Sequence, residues 1–263
     1  MLERMMVNIT PFNREREIIV CLPDDYQCSG KKYPVLYFND GQEAFIDEEA
    51  FIKKSWGLHD FVINNKMDVI IVGICCNKDP NGRMNEYGPW IIDEDLCFYE
   101  TQVKRLKIGG EGIAYVQWII HELKPMIDAL YPTNKDDTGI AGSSMGAVIS
   151  AYASLAYPTV FKKCACLSTA FWFYENEFKH LIEHQNLDAI EAFYFDIGGD
   201  EGLGNAEENG WYRTSNAHML ALLQERIKPL YFNYIGQAKH NEWDWSKRVP
   251  IFMNFLFGGN GYV

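Results

Sequence analysis

Residues 142–146 read Gly-Ser-Ser-Met-Gly, a G-x-S-x-G pentad centred on Ser144 and lying between an apolar run and an apolar helical stretch. A serine flanked in this way suits attack on an acyl carbon from the crest of a sharp strand-to-helix bend. The pentad alone is weak, because small residues also make ordinary turns. Its context is stronger: TGIA leads in and AVISAYASLAYP leads out, which supplies the strand, turn and helix that a nucleophilic serine requires. Side chains at positions 142 and 146 would collide with the neighbouring strand and helix, which accounts for both glycines. A helix beginning just after Ser144 also brings backbone N–H groups to a developing oxyanion.

A serine at its ordinary pKa needs a base, and in nucleophile-elbow proteins the chain order is serine, acid, histidine. Downstream of Ser144 stand His180, His184, His218 and His240. His180 and His184 form HLIEH at helical i, i+4 spacing with no third ligand nearby, so they read as a solvated helix face rather than a metal pair. His218 lies in the apolar-periodic SNAHMLALLQ and reads as structural. His240 differs. It follows the last strand-like run, in IGQAKHNEWDW, at the carboxyl end of the sheet, where α/β proteins build their sites. For the acid, AFYFDIGGDEGLG offers Asp196, Asp200 and Glu201. Asp196 sits inside the apolar run, away from a loop partner. Asp200 and Glu201 follow the Gly198-Gly199 turn, and either carboxylate could orient an imidazole.

The elements that must position these residues can be read from hydrophobic periodicity. Short runs are predicted as strands at 17–22, 34–38, 68–74, 138–141, 163–168, 192–197 and 230–235, several of them continuously apolar, as strands covered on both faces are. Helical patterns occupy 56–65, 114–130, 145–157, 215–227 and 249–257, each after one strand and before the next. That alternation predicts an α/β fold in a single domain, with a mostly parallel sheet, helices on both faces and the earliest strands antiparallel at one edge. The segment 78–112 carries no clear element, and long irregular segments tend to be functional loops. Within it, Gly109-Gly110-Glu111-Gly112 lacks the Lys-Ser/Thr and leading strand of a phosphate-binding loop.

Composition narrows the partners. The 263 residues carry a formal net charge of −12, which disfavours nucleic acid and anionic membrane surfaces. No apolar stretch approaches the roughly 18 residues that span a bilayer, and the amino-terminal residues lack the apolar core of a secretory signal. Seven cysteines, with no paired C-x-x-C spacing, read as free thiols in a reducing, cytoplasmic compartment, and no metal or cofactor is called for.

Together these residues resemble the esterase D-like branch of the α/β hydrolases. That branch includes siderophore-lactone esterases, feruloyl and acetyl-xylan esterases, S-formylglutathione hydrolases and mycolyl transferases. The resemblance runs from about Glu17 to Phe257. Its marks are YPVLYFNDGQEAF (33–45), Trp56, RMNEYGPW (83–90), HELKPMIDALYPT (121–133), IAGSSMGAVISAYASLAYPTVFKKCACLS (140–168) and KHNEWDW (239–245). It implies an α/β-hydrolase fold with Ser144 as nucleophile and His240 as base. Glu201 would be the acid, with Asp200 as its fallback. The backbone N–H groups of Met145 and Gln42 would form the oxyanion hole, with Gly41 letting the Gln42 amide point inward. Ala147 departs from the second glycine that many members carry.

Trp172 and Phe171 are expected to wall the pocket, and Trp90, Trp211 and Trp243 are further aromatic candidates. Arg83 either contacts substrate or pairs internally with Glu86 to fix its loop. The implied reaction is hydrolysis of a small-molecule carboxylic ester, with feruloyl or acetyl carbohydrate esters or small esters as substrates. The alternatives are a siderophore trilactone substrate and a non-catalytic homologue that only binds a ligand or partner.

Overall fold

Runs rich in Val, Ile, Tyr and Phe and too short for helices become strands in the computed structural model, which describes residues 1–94, 97–98, 101–102 and 106–258. The main sheet contains β1 (Leu2–Ile9), β2 (Arg14–Cys21), β3 (Tyr33–Asn39), β4 (Ile70–Ile74), β9 (Thr133–Ser143), β10 (Lys163–Leu167), β11 (Ala192–Asp200) and β12 (Leu230–Lys239). Between β4 and β9 lie two short antiparallel ribbons, β5 (Ile91–Glu94) with β8 (Leu106–Gly109) and β6 (Cys97–Phe98) with β7 (Thr101–Gln102). The eight main strands are ordered β1-β2-β4-β3-β9-β10-β11-β12. β1 and β4 flank β2 antiparallel, and every later pairing is parallel.

Strand side chains alternate between two apolar layers. Val35, Tyr37, Ile140 and Phe195 enter one layer; Leu36, Phe38, Ala141 and Tyr194 enter the other. The first is covered by α3 (Gly112–Trp118), α5 (Met145–Ala156), α6 (Glu175–His184) and α7 (Ala206–Arg226). The second is covered by α1 (Leu58–Asn64), α8 (Glu242–Ser246) and α9 (Val249–Phe257). Burying such a side chain contributes about 1.5–3 kcal/mol, so the layers fix the strand ends from which the site is built.

Departures from the sequence reading have local causes. β1 was not predicted, because on this edge strand only Ile9 is buried and polar residues face out. α7 begins well before Ser215: the Asn205 side chain accepts from the N–H groups of Glu207 and Glu208 and so starts a helix through a polar stretch. The segment 78–112 supplies α2 (Gly82–Tyr87) and the β5–β8 ribbon. The predicted helix 114–130 is α3, a π-helical turn (Ile119–Leu123) and α4 (Lys124–Leu130) in succession.

Cys21, Cys28, Cys75, Cys76, Cys164 and Cys166 are free thiols, and Cys97 lies outside the residues whose side chains are described. Among the described residues no helix is long and apolar enough to cross a membrane.

Candidate active site

Ser144 sits at the junction of β9 and α5 with φ 56 and ψ −121, a region that non-glycine residues rarely occupy. Its N–H donates to Leu167 O at 2.9 Å, locking the bend against the neighbouring strand. The flanking glycines are required by close approach. A Cβ at Gly142 would lie 2.6 Å from Gly146 O, and one at Gly146 would lie 2.8 Å from Asp40 Oδ2. Collision at 146 is therefore with the loop after β3, not with a strand. Ala147 is fully buried in the core layer and does not floor a pocket.

The carboxyl ends of β9, β10, β11 and β12 stand side by side, so the residues that follow them meet. His240 Nδ1 lies 2.7 Å from Glu201 Oε2. Glu201 Oε1 accepts from Ser168 Oγ at 2.7 Å and from the Gly198 N–H. Burial works against the Glu201 charge; the hydrogen bonds from His240, Ser168 and Gly198 outweigh it and hold the carboxyl below its ordinary pKa. An ionised carboxylate can only accept, so Nδ1 carries a ring proton, and in the neutral imidazole the lone pair is therefore on Nε2. The ring is held between Tyr212, 5.2 Å away, and Trp245, 4.9 Å away. Among the described residues, Nε2 makes no hydrogen bond, to Ser144 Oγ included. Asp200 instead accepts from Gly204 N at 2.6 Å and Asn209 Nδ2 at 3.3 Å, which fastens the turn leading to α7.

Met145 is the first residue of α5, where a backbone N–H has no intrahelical acceptor. Gln42 lies in the 3₁₀ turn Gly41–Glu43, and its side chain is committed elsewhere: Oε1 accepts from Cys76 N at 2.9 Å and Nε2 reaches Cys76 Sγ at 3.2 Å. The need for glycine at 41 differs from the sequence reading. The left-handed residue is Asp40, with φ 60, whereas Gly41 is required because a Cβ there would meet the Gly73 carbonyl carbon at 2.4 Å. Arg83 pairs with Asp40 rather than Glu86. Its Nε and Nη2 lie 2.7 and 2.8 Å from the two carboxylate oxygens. Glu86, fully buried, is instead held by Arg16 and Asn77. Sequence spacing put Arg83 next to a glutamate on its own helix, but the pairing is across the fold.

Of the expected pocket walls, Phe171 is a correction. The 3₁₀ turn Phe171–Phe173 directs it fully into the core against Phe178, so it faces no pocket. Trp172 is partly buried, stacks on Phe173 at 3.8 Å and approaches Trp211 and Tyr212, the latter beside His240. Trp90 packs among Tyr152, Tyr174 and Phe178, and Trp243 is 57% exposed under Lys54. His180 and His184 are exposed neighbours on α6, and His218 pairs with Glu175 at 2.5 Å on the surface rather than packing inside. Sequence reasoning missed Asp40, Ser168 and Arg248. The left-handed turn at Asp40 had a signal in its Asp-Gly pair; the other two had none.

Comparison with known proteins agrees with this architecture. YbbA of Bacillus subtilis, an uncharacterized protein, is 25% identical over 193 residues, 71% of this chain and 69% of its own. A ferulic acid esterase structure superimposes with a TM-score of 0.71 at 18% identity, covering 98% of both chains. Ferric enterobactin esterase of Salmonella typhimurium does so with 0.73 at 16% identity, over 98% of this chain and 58% of its own. These structural likenesses establish the α/β-hydrolase fold. The family profile of putative esterases matches residues 9–251, and on that match, which spans nearly the whole molecule, the chain belongs to the Esterase family.

Proposed function

We propose that the protein is a serine carboxylic-ester hydrolase that works through an acyl-enzyme on Ser144. The observation that carries this reading is the 2.7 Å contact between His240 and the buried Glu201, in a loop at the same sheet edge as a serine held at φ 56. His240 Nε2 takes the Ser144 proton as Oγ attacks the ester carbonyl. The Met145 and Gln42 N–H groups receive the oxyanion; losing one such donor typically costs about 10²–10³-fold in rate. His240 then protonates the leaving alcohol, and a water activated by the same ring releases the acid. Glu201 holds the tautomer and balances the imidazolium. The Ser144–His240 hydrogen bond forms with substrate in place, as catalytic contacts commonly tighten only in the complex.

The substrate class supported best is a neutral ester, feruloyl or acetyl on carbohydrate or a small ester. The partly exposed Trp172 with Trp211 offers an aromatic face, and Arg83 is neutralised by its two bonds to Asp40. That neutralisation disfavours the alternative of an anionic siderophore trilactone.

The test is p-nitrophenyl acetate hydrolysis with fluorophosphonate labelling, comparing wild type with Ser144→Ala. A burst and a label that both vanish in the variant are expected, with kcat falling by about 10⁴-fold or more. A wild type that neither turns over nor labels would leave the protein a binding homologue. A panel of feruloyl, acetyl-sugar, thioester and trilactone substrates then ranks the esters.

A further inference from the structure

Behind His240 and Glu201 lies a buried polar chain that no step of acyl transfer touches. Ser168 follows β10, and its Oγ has three partners: Glu201 Oε1 at 2.7 Å, Trp245 Nε1 at 2.9 Å and Arg248 Nη1 at 3.2 Å. Indole and guanidinium N–H groups can only donate. They fill both lone pairs of the hydroxyl, so its one proton has a single destination, Glu201 Oε1. Arg248, whose side chain is 3% exposed, is in turn fixed by Asp196 at 2.6 Å. The other Asp196 oxygen accepts from Tyr194 OH.

The backbone adds an independent sign. Ser168 sits at φ 49 and is fully buried. Glycine would occupy that conformation without strain, whereas a residue with a Cβ adopts it less readily. At that position the hydroxyl is held in place and aimed at Glu201.

We infer that Ser168 and Arg248 are positioning residues for ester hydrolysis: the directed Arg248–Ser168–Glu201 chain fixes the rotamer of Glu201 and its share of negative charge toward His240. This rests on the triad reading above. Several titratable or charged groups face the His240–Glu201 pair. Arg248 lies at the start of α9, Asp196 and Tyr194 on β11, Tyr212 on α7 and Glu242 on α8, with the Arg83–Asp40 pair across the mouth. Removing Ser168 Oγ returns negative charge to Glu201, and removing Arg248 deletes the nearest buried cation. Either change favours the imidazolium.

The experiment measures kcat, KM and the pH dependence of kcat/KM per phosphonate-titrated site for Ser168→Ala, Ser168→Gly, Arg248→Met and Arg248→Lys. Ser168→Ala and Arg248→Met are expected to lower kcat by about 10–100-fold, part of the ~10²–10⁴ that general-base catalysis supplies, with KM little changed. Their acid limb should move to higher pH, and Arg248→Lys should return it toward wild type. A merely structural role would reduce the titratable fraction and leave kcat per site and the limb in place; that result overturns the inference. Should Ser168→Ala not fold, Ser168→Gly relieves the left-handed backbone and carries the same comparison. A wild type that fails to label defeats the triad reading instead, so the two failures are distinct.

Discussion

At the scale of single residues, the site divides two neighbouring acids by what they accept. Glu201 takes its hydrogen bonds from Ser168, Gly198 and His240, whereas Asp200 takes its own from the turn. Glu201→Gln places an amide N–H₂ where a proton must be accepted, which favours the wrong imidazole tautomer; kcat is expected to fall by about 10³–10⁴-fold. Asp200→Asn keeps an acceptor oxygen for Gly204, so kcat should stay within about threefold and stability within about 1 kcal/mol. Steady-state kinetics of the two variants side by side checks this, and the reverse pattern would exchange the two residues' roles. The Ser144 bend and the placement of His240 after the last strand were legible because motif and chain order constrain them; the choice of Glu201 over Asp200 came from the family resemblance. The Arg83–Asp40 pair and Ser168 were not legible, since each joins segments far apart in sequence, and one-dimensional spacing carries no information about such contacts.

At the scale of elements, the β9–α5 bend is where backbone strain and the proposed nucleophile coincide. Backbone conformations such as that of Ser144 cost about 1–3 kcal/mol for a residue with a side chain, against roughly 0.5–1 kcal/mol for the added freedom of a glycine in the unfolded chain. Ser144→Gly should therefore be inactive yet melt higher than Ser144→Ala, by about 2–4 °C for a net gain near 1 kcal/mol. Scanning calorimetry decides; equal or lower melting would mean that the bend is relaxed. The strands around it were readable because burial on both faces leaves a continuous apolar signature, as in β4, whose residues are all buried. Edge strand β1 was not, because an element with one wet face and charged side chains looks like a loop. Helix α6 was legible only in its last turn, as the solvated HLIEH face, because only Phe178 and Ile182 are buried in it, too few to declare a stripe.

At the scale of the whole molecule, a formal net charge of −12 surrounds the site with a repulsive field for anions. kcat/KM for an ester bearing a carboxylate is expected to rise several-fold as the Debye length is cut from about 30 Å at 0.01 M to about 8 Å at 0.15 M, while that for a neutral acetate stays level. Stopped-flow rates at two ionic strengths make the comparison, and a flat response for the anion would place a local cationic patch at the entrance. The indole of Trp245 lies 4.9 Å from the His240 ring, donates to Ser168 and stacks at 5.8 Å on Trp56. Protonated imidazole drains the excited state of a nearby indole, so the share of emission that a Trp245→Phe variant removes is expected to dim when the His240 ring holds two protons and to brighten when it gives one away, without any added dye.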